Sequence, residues 1–501
     1  MRRAALFTVG GVAFALLALL NSGGYRYGVS DQAFYIPVVL QQMMPDLYPH
    51  DVALIGAQDR LLLFDDWFAP ILRGTGASPP AGFLAAYAIT LSLLFSAIVG
   101  IGRALYASWW TVGGLVIGLT MRHQIPDTAV NSLEGYFHPR LLAFAVCLCA
   151  VAVFLRGRSS TALGVIVLAA LVHPTTALWF AIWVGVAALV SDSKARPWLL
   201  VLAALAAAAA GWAVAIPLRD QVVVMDPTWR SVVSVKGYLL PTGWPILSWV
   251  ANLAVAVLVA VIFLYRRSLG ITSPRETGLV AGAAVLLGLF LVSVPLAGAH
   301  IALVVQLQVS RIFWIFDLFG TCYLAWFLIE SPVRSQTRPS WLRASPRPAV
   351  VVVVLALSLI RGSYVSLVER AGKPIVQAGL EAGDWSDLMA WATEQPVGTN
   401  FLADPIHAAR YGSSVRAASG RDVYLEIVKD TAVAIYSTDI ALRVSRRIDE
   451  LGDFNSLDGE RALRLADRFQ LDYLITEHAL DLPEAHRIGR FRIYTLAHEE
   501  S

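Results

Sequence analysis

Long apolar runs constrain the fold of this chain more than any other feature. Runs near the length of about 20 residues that crosses a bilayer lie at 4–20, 81–102, 105–121, 140–155, 174–191, 197–217, 244–265, 277–298, 303–329 and 348–361. A shorter run, 160–173, ends at His173-Pro174 and is typical of a half-length helix that meets its successor at a break. Only 15% of the 501 residues are charged, against about 25% in soluble proteins. The sequence therefore predicts a polytopic α-helical membrane protein with about eleven transmembrane helices.

Basic residues in the short loops predict the orientation. With the N-terminus in the cytoplasm, the arginines and lysines of alternate loops fall inside, as the positive-inside rule requires. The clearest loop is 331–348, with four arginines and no acid. The first apolar run resembles a signal peptide but is long enough to span, so we interpret it as an uncleaved helix. The Arg- and Ala-rich composition is typical of a GC-rich bacterial genome. We expect an integral protein of the bacterial inner (plasma) membrane.

The predicted outer face receives a long first loop, 21–80, with six acids. They are Asp31, Asp46, Asp51, Asp59, Asp65 and Asp66. Asp31 follows the first span closely, near the bilayer edge, where an acid is expensive unless it is solvated or paired. Asp31 is therefore a functional candidate. The alternative is that Asp31 caps a helix running from Gln32 to Met44.

The second outer loop, RHQIPDTAVNSLEGYFHPR, groups charged and titratable side chains within a short stretch. They are Arg122, His123, Asp127, Glu134, His138 and Arg140. Asp127 or Glu134 is a candidate second acid that joins Asp31 in holding a divalent metal ion or a sugar hydroxyl. The alternative is a solvated loop in which Arg140 reaches toward the interface. No spacing in this loop specifies a metal site.

Two residues inside the apolar runs are further candidates. His173, in LVHPTT, either lines a cavity at a helix break or is a satisfied core residue. Arg311, in QLQVSRIFWIFDLFG, has Asp317 six residues on, which is not a helical ion-pair spacing. The planar guanidinium suits phosphate; the alternative is that Arg311 extends to the outer surface.

The segment 362–501 is more charged, with shorter apolar runs. Strand patterns in GTNFLADP, LDYLITE and FRIYTL alternate with helical patterns, which predicts an independently packed α/β domain outside the cytoplasm. The predicted domains are therefore 1–361, transmembrane, and 362–501, extracytoplasmic.

These features together resemble the C-type (GT-C) superfamily of membrane glycosyltransferases. The resemblance covers nearly the whole chain in architecture, and its motif is the first-loop acid, Asp31 of SDQAFY. The adjacent acidic pair usual in the second loop of the family is missing here. The resemblance implies transfer of a sugar from a polyprenyl-phosphate donor to a cell-envelope glycan, lipid or protein. Asp31 would be catalytic, Arg311 and Arg140 would bind the donor phosphate, and His138 and His173 would line the cavity.

Two other classes remain open on the sequence. One is a transporter or flippase for a lipid-linked or small polar solute, which the helix break near His173 favours. The other is a non-catalytic scaffold of the same architecture, which the missing acidic pair favours. The net charge of +3 gives no reason to expect a nucleic-acid partner, and a divalent metal ion is the one candidate cofactor.

Overall fold

The computed structural model describes residues 2–59, 63–216, 218–332 and 347–496. The helices in these ranges are α1 Arg2–Ser22, α2 Gln32–Met43, α3 Val52–Asp59, α4 Phe64–Thr75, α5 Pro79–Leu105, α6 Trp109–Gly118, α7 Pro139–Leu155, α8 Ser159–Ala170, α9 Pro174–Ser191, α10 Arg196–Ala215, α11 Pro227–Ser234, α12 Ile246–Ser268, α13 Pro274–Gly298, α14 Ala302–Leu307, α15 Phe313–Ile329, α16 Arg347–Tyr364, α17 Asp384–Glu394, α18 His407–Tyr411, α19 Val415–Ser419, α20 Ile427–Val433, α21 Thr438–Leu451 and α22 Gly459–Phe469. The strands are β1 Tyr25–Arg26, β2 Gln124–Ile125, β3 Val130–Asn131, β4 Val376–Gln377, β5 Asn400–Leu402, β6 Asp422–Val423, β7 Tyr473–Thr476, β8 Glu484–Ile488 and β9 Phe491–Thr495.

The chain divides into two compact units, each assembled from three segments. The first unit is Met1–Tyr25, Ala85–Val224 and Gly237–Val376. The second unit is Arg26–Leu84, Met225–Lys236 and Gln377–Ser501. This division differs from the predicted one, which placed the first outer loop with the membrane domain.

Most membrane-spanning candidates belong to the first unit. In the described part of the chain, eight helices are long and apolar enough to cross a bilayer, and three shorter apolar helices, α6, α7 and α8, accompany them. Every predicted apolar run coincides with one of these helices. The total number of crossings stays a prediction. The basic loop 331–348, which gave the clearest orientation signal, lies outside the described residues apart from its ends.

Two glycines explain the close packing of α9 on α13. A β-carbon at Gly278 would lie 2.4 Å from the Ala187 carbonyl oxygen, and one at Gly282 would lie 2.3 Å from the Trp183 carbonyl oxygen. Any larger residue would push the two backbones apart. The spacing is the small-xxx-small pattern by which membrane helices approach closely. The Trp183 indole also donates to the Leu279 carbonyl at 2.8 Å, which fixes the register of the pair.

A five-stranded mixed sheet forms the centre of the second unit. The strand order is β6-β5-β7-β9-β8; β5 is parallel to β6 and β7, and β9 is antiparallel to β7 and β8. Leu388 and Met389 of α17 are fully buried against Phe401 and Ile493 of the sheet. Each such apolar side chain contributes roughly 1.5–3 kcal/mol by leaving water. Strands and helices therefore alternate in this segment, as its sequence pattern predicted.

A buried group of charges, here called the Asp51 cluster, ties the first outer loop to the C-terminal segment within the second unit. It consists of Asp51, Arg416, Asp430, Arg443 and Arg447. Asp51 accepts from Arg416 Nε at 2.5 Å, pairs with Arg443, and lies 3.6 Å from Arg447 Nη1. Arg416 also binds Asp430 at 2.6 Å. Because these charges neutralise one another inside the protein, the loop and the C-terminal segment fold as one unit.

Candidate active site

Asp31 of the second unit directly precedes α2, at the end of a sharp bend. Gly28 and Ser30 both have positive φ angles, 79° and 52°. Such a backbone is easy for glycine but strained for serine, and strain of this kind is concentrated at functional positions. The Gly28 amide donates to the Gln32 side chain at 2.7 Å, which holds the bend closed. The chain thus maintains an unfavourable conformation next to the predicted catalytic acid.

The Asp31 carboxylate is held by a lysine and not by its own helix. Its side chain makes no capping hydrogen bond to α2, so the capping alternative is wrong. Instead Lys429 Nζ of α20 lies 3.0 Å from Asp31 Oδ1, and the same ammonium lies 5.0 Å from the Phe34 ring centroid. The Asp31 side chain remains 31% exposed. The carboxylate is therefore oriented by a fixed cation and still accessible to a substrate.

Lys236 is a second cation near Asp31. Its ammonium donates to the Val428 carbonyl at 2.8 Å. Burial lowers the pKa of Lys236, the nearby charge of Lys429 lowers it further, and Asp31 opposes both. Asp31 therefore pairs with one lysine and acts electrostatically on a second, and these two are half of the four lysines in the chain.

Glu134, in the first unit, is buried among cations and an amide. Arg140 Nη2 and Arg122 Nη2 lie 3.8 Å and 3.9 Å from its two carboxylate oxygens, and the Asn131 amide donates to both oxygens at 3.1 Å. A divalent cation would be repelled by the two guanidinium groups. The residues around Glu134 therefore do not fit a metal ion.

Asp127 occupies the turn of the β2–β3 hairpin, with a positive φ of 48° that aspartate tolerates better than most residues. The need for a positive φ in this turn explains why an aspartate stands at position 127. Within the described ranges, no group of three or more His, Cys, Asp or Glu side chains could hold a metal ion.

His138 and His173 cap the helices that begin immediately after them. His138 Nδ1 accepts from the Arg140 amide at 3.1 Å, and His173 Nδ1 accepts from the Thr176 amide at 3.3 Å. Both rings are buried. The predicted break at His173 is present, because α8 ends at Ala170 and α9 begins at Pro174. A capping role explains both histidines without a ligand.

Arg311 lies at an unpredicted interruption of the apolar run 303–329. α14 ends at Leu307, Gln308 takes a left-handed conformation with φ 46°, and a 3₁₀ turn, Val309–Ile312, precedes α15. Irregular backbone at membrane depth is tolerated where it is buried in protein or lines a polar cavity. Arg311, His138 and Arg140 all act electrostatically on His173. The fold therefore gathers these four predicted residues into one part of the first unit.

Sequence reasoning missed the pair formed by His123 and Asp317. His123 Nε2 lies 2.9 Å from Asp317 Oδ1, and its Nδ1 lies 3.1 Å from the Met121 carbonyl oxygen. The hydrogen bond that His123 donates to Asp317 is the main cause that raises the pKa of His123. Asp317 thus accepts a hydrogen bond from His123, which lies 194 positions away in the sequence. No local spacing signals the pair.

Among known proteins, the likeness is found in solved structures alone. No protein-family model matches this sequence, and no curated protein sequence matches it. The chain is similar to the archaeal oligosaccharyltransferase AglB from Archaeoglobus fulgidus, in complex with an inhibitory peptide and a dolichol-phosphate, with TM-score 0.47 and 12% identity over 94% of this chain and 69% of that chain. It is also similar to the arabinofuranosyltransferase AftD from Mycobacteria, with TM-score 0.49 and 13% identity over 100% of this chain and 40% of that chain. Both are GT-C glycosyltransferases, the class that the sequence resembles.

Proposed function

We propose that the protein is a membrane glycosyltransferase that moves a sugar from a polyprenyl-phosphate donor to an acceptor hydroxyl on the extracytoplasmic face. The observation that carries the proposal is the position of the Asp31 carboxylate. It follows the strained backbone of Ser30, is oriented by Lys429 and is 31% exposed. A carboxylate positioned in this way suits the removal of a proton from a hydroxyl. The sugar is a hexose or a pentose, and the acceptor is a cell-envelope glycan, lipid or protein.

The transfer requires one base and one cationic site for the leaving phosphate. Asp31 accepts the proton of the acceptor hydroxyl as the hydroxyl oxygen bonds to the anomeric carbon of the donor sugar. The bond between that carbon and the phosphate oxygen breaks, and its electron pair leaves with the polyprenyl phosphate. Charge develops on that phosphate in the transition state, where fixed cations are most effective.

Arg311 and Arg140 are the proposed donor-phosphate residues of the first unit. Arg311 lies within the irregular segment Gln308–Ile312, where the regular helix is interrupted. Arg140 is buried near Glu134, at the start of α7. A guanidinium can bind two phosphate oxygens at once, which positions the leaving group as well as neutralising it.

The test is sugar transfer from a radiolabelled polyprenyl-phosphate sugar by the purified protein. Asp31→Asn keeps the size of the side chain and removes the base, so we expect the rate to fall about 10²-fold or more. Asp46→Asn is the matched control, because Asp46 is an exposed acid of the same loop. Arg311→Lys keeps the charge but loses the two-pronged donor, and should raise the KM for the donor about tenfold. Full activity of Asp31→Asn in a normally folded protein would place the base elsewhere.

A transporter or flippase is the second candidate, and the two helix breaks favour it. α8 and α9 are interrupted at His173, and α14 and α15 at Gln308–Ile312. Discontinuous helices form the substrate sites of many transporters. Movement of a labelled lipid-linked sugar across reconstituted vesicles, without transfer to any acceptor, would support this function. The absence of both activities in a folded, membrane-inserted protein would support the scaffold.

A further inference from the structure

A cavity of about 510 Å³ lies within the second unit, among α11, α20 and α21. Its volume falls within the range of small-molecule binding pockets, roughly 300–1,000 Å³. Five branched aliphatic side chains form much of its wall: Val232, Val235, Ile427, Val428 and Ile448. Ser231, Thr431 and Ser445 add hydroxyl groups, and Lys236 and Asp449 add one charge of each sign. No aromatic side chain is among these lining residues, which all belong to the described part of the chain.

Lys236 is the polar group best placed to fix a ligand in this cavity. Its Nζ donates to the Val428 carbonyl at 2.8 Å, which uses one of the three N–H groups of the ammonium. The side chain is half-buried, whereas Asp449 is exposed. An anion inside the cavity would therefore meet the lysine in a less hydrated environment than the aspartate, where charge attraction is stronger.

Lys236 lies near a second lysine that is itself paired to Asp31. The charge of Lys429 opposes that of Lys236, and Asp31, 3.0 Å from Lys429, offsets part of this repulsion. A bound anion would relieve the repulsion between the two lysines. The same three residues link the cavity to the proposed base, because Lys429 lies on α20 between the lining residues Val428 and Thr431.

We propose that this cavity binds the acceptor of the transfer reaction through an anionic group held by Lys236 and an aliphatic portion covered by the branched side chains. That the ligand is the acceptor rests on the proposed function, whereas its anionic and aliphatic chemistry rests on the residues that line the cavity. The acceptor is thus an anionic amphiphile, with a phosphate or a carboxylate next to an aliphatic group. The reacting hydroxyl of this acceptor would bind in the second unit, which also contains Asp31.

Ligand protection of Lys236 tests the binding chemistry without any transfer assay. The purified full-length protein is treated with a water-soluble acetylating reagent, and acetylation of Lys236 is followed by peptide mass spectrometry. Hexyl phosphate and hexanoate are the anionic probes. Of the two controls, hexanol lacks the anionic group and inorganic phosphate lacks the aliphatic group. We expect an anionic probe at ten times its Kd to slow acetylation of Lys236 about tenfold by mass action. Lys373, an exposed lysine of the first unit, should keep its rate.

The two halves of the proposal can each be refuted. If hexanol protects Lys236 as well as hexyl phosphate does, the anionic group is not required and the proposed role of Lys236 is refuted. If inorganic phosphate protects it as well as hexyl phosphate does, the proposed role of the aliphatic wall is refuted. No protection by hexyl phosphate or hexanoate would overturn the site. In a thermal-shift measurement, hexyl phosphate should stabilise the wild type and the control Lys373→Gln, but not Lys236→Gln. Ile448→Ala, which leaves the lysine in place, should weaken binding of hexyl phosphate.

Transfer kinetics separate this inference from the proposed function. Lys236→Gln should raise the KM for the acceptor by a larger factor than it changes kcat. If Asp31→Asn abolishes transfer but Lys236→Gln changes neither constant, the glycosyltransferase function stands and the acceptor cavity is refuted. If hexyl phosphate protects Lys236 but no transfer occurs with any donor, the cavity stands and the proposed function fails.

Discussion

Replacing Asp51 with asparagine should loosen the second unit by an amount that can be worked out from the structure. Burial would raise the pKa of Asp51, but Arg416, Arg443 and Arg447 together lower it from 3.8 to about 2. That difference corresponds to ~2.5 kcal/mol of favourable interaction with the ionised form. Removing one member of a buried charge group also leaves the other charges uncompensated, which costs about 3–5 kcal/mol in measured cases. Asp51→Asn should therefore lower the free energy of unfolding by roughly 2–5 kcal/mol.

Hydrogen exchange measured by mass spectrometry can localise this loss. A decrease of ~2.5 kcal/mol should speed exchange of the protected amides of α3 and α20 about 60-fold, since 1.4 kcal/mol is tenfold. Asp46→Asn, at an exposed position of the same loop, is the control and should change exchange little. Equal exchange in α20 for Asp51→Asn and Asp46→Asn would contradict a stabilising role of the Asp51 cluster.

The same substitution should change how stability depends on pH. Burial, and next the negative charge of Asp51, raise the pKa of Asp422 from 3.8 to about 7, although Arg416 and the amides of His50 and Asp51 oppose them. Because the folded pKa is the higher one, Asp422 stabilises the unit fully below pH 3.8, and this contribution is lost as the pH rises through 7. Asp51→Asn removes one cause of the raised pKa. The loss should then occur at lower pH, as measured by exchange corrected for its intrinsic pH dependence.

Two further predictions concern the whole chain. A fragment 377–496 alone should lack a cooperative unfolding transition by circular dichroism, because Arg416, Arg443 and Arg447 lose their Asp51 partner. The same fragment linked to both 26–84 and 225–236 should show one. Cooperative unfolding of the bare fragment would contradict the three-segment unit. A cysteine placed in the loop 331–348 should resist an impermeant thiol reagent in intact cells and a cysteine placed after residue 380 should react, because the basic loop is predicted to be cytoplasmic; the opposite labelling would reverse the orientation.

The apolar helices could be predicted from the sequence because each is encoded locally. A run near 20 apolar residues specifies a helix with no knowledge of its neighbours. The break before Arg311 was missed although it has a local signal, since Gln306, Gln308 and Ser310 interrupt the apolar run. The close packing of α9 on α13 also had a signal, in the spacing of Gly278 and Gly282.

The partners of the predicted site residues could not be found from local patterns. Asp31 meets Lys429 across 398 positions of sequence, and Asp51 meets Arg416 across 365. Helical spacing rules describe pairs three or four residues apart and do not extend to such contacts. For the same reason the predicted domain boundary at 361/362 missed the three-segment composition of the second unit. The scarcity of lysine was the one global hint, because two of the four lysines interact electrostatically with Asp31.

The three carboxylates Asp31, Glu134 and Asp51 follow one physical pattern: a basic side chain neutralises each of them. Lys429 pairs with Asp31, two arginines flank Glu134, and Arg416 and Arg443 bind Asp51. In the family that the sequence resembles, the second loop carries an adjacent acidic pair, and that pair is missing here. Where arginine already neutralises the second-loop acid, a divalent ion would meet repulsion from the guanidinium groups. In the proposed transfer reaction, Arg311 and Arg140 would supply the positive charge for the departing phosphate, because their planar donors can bind its oxygens directly.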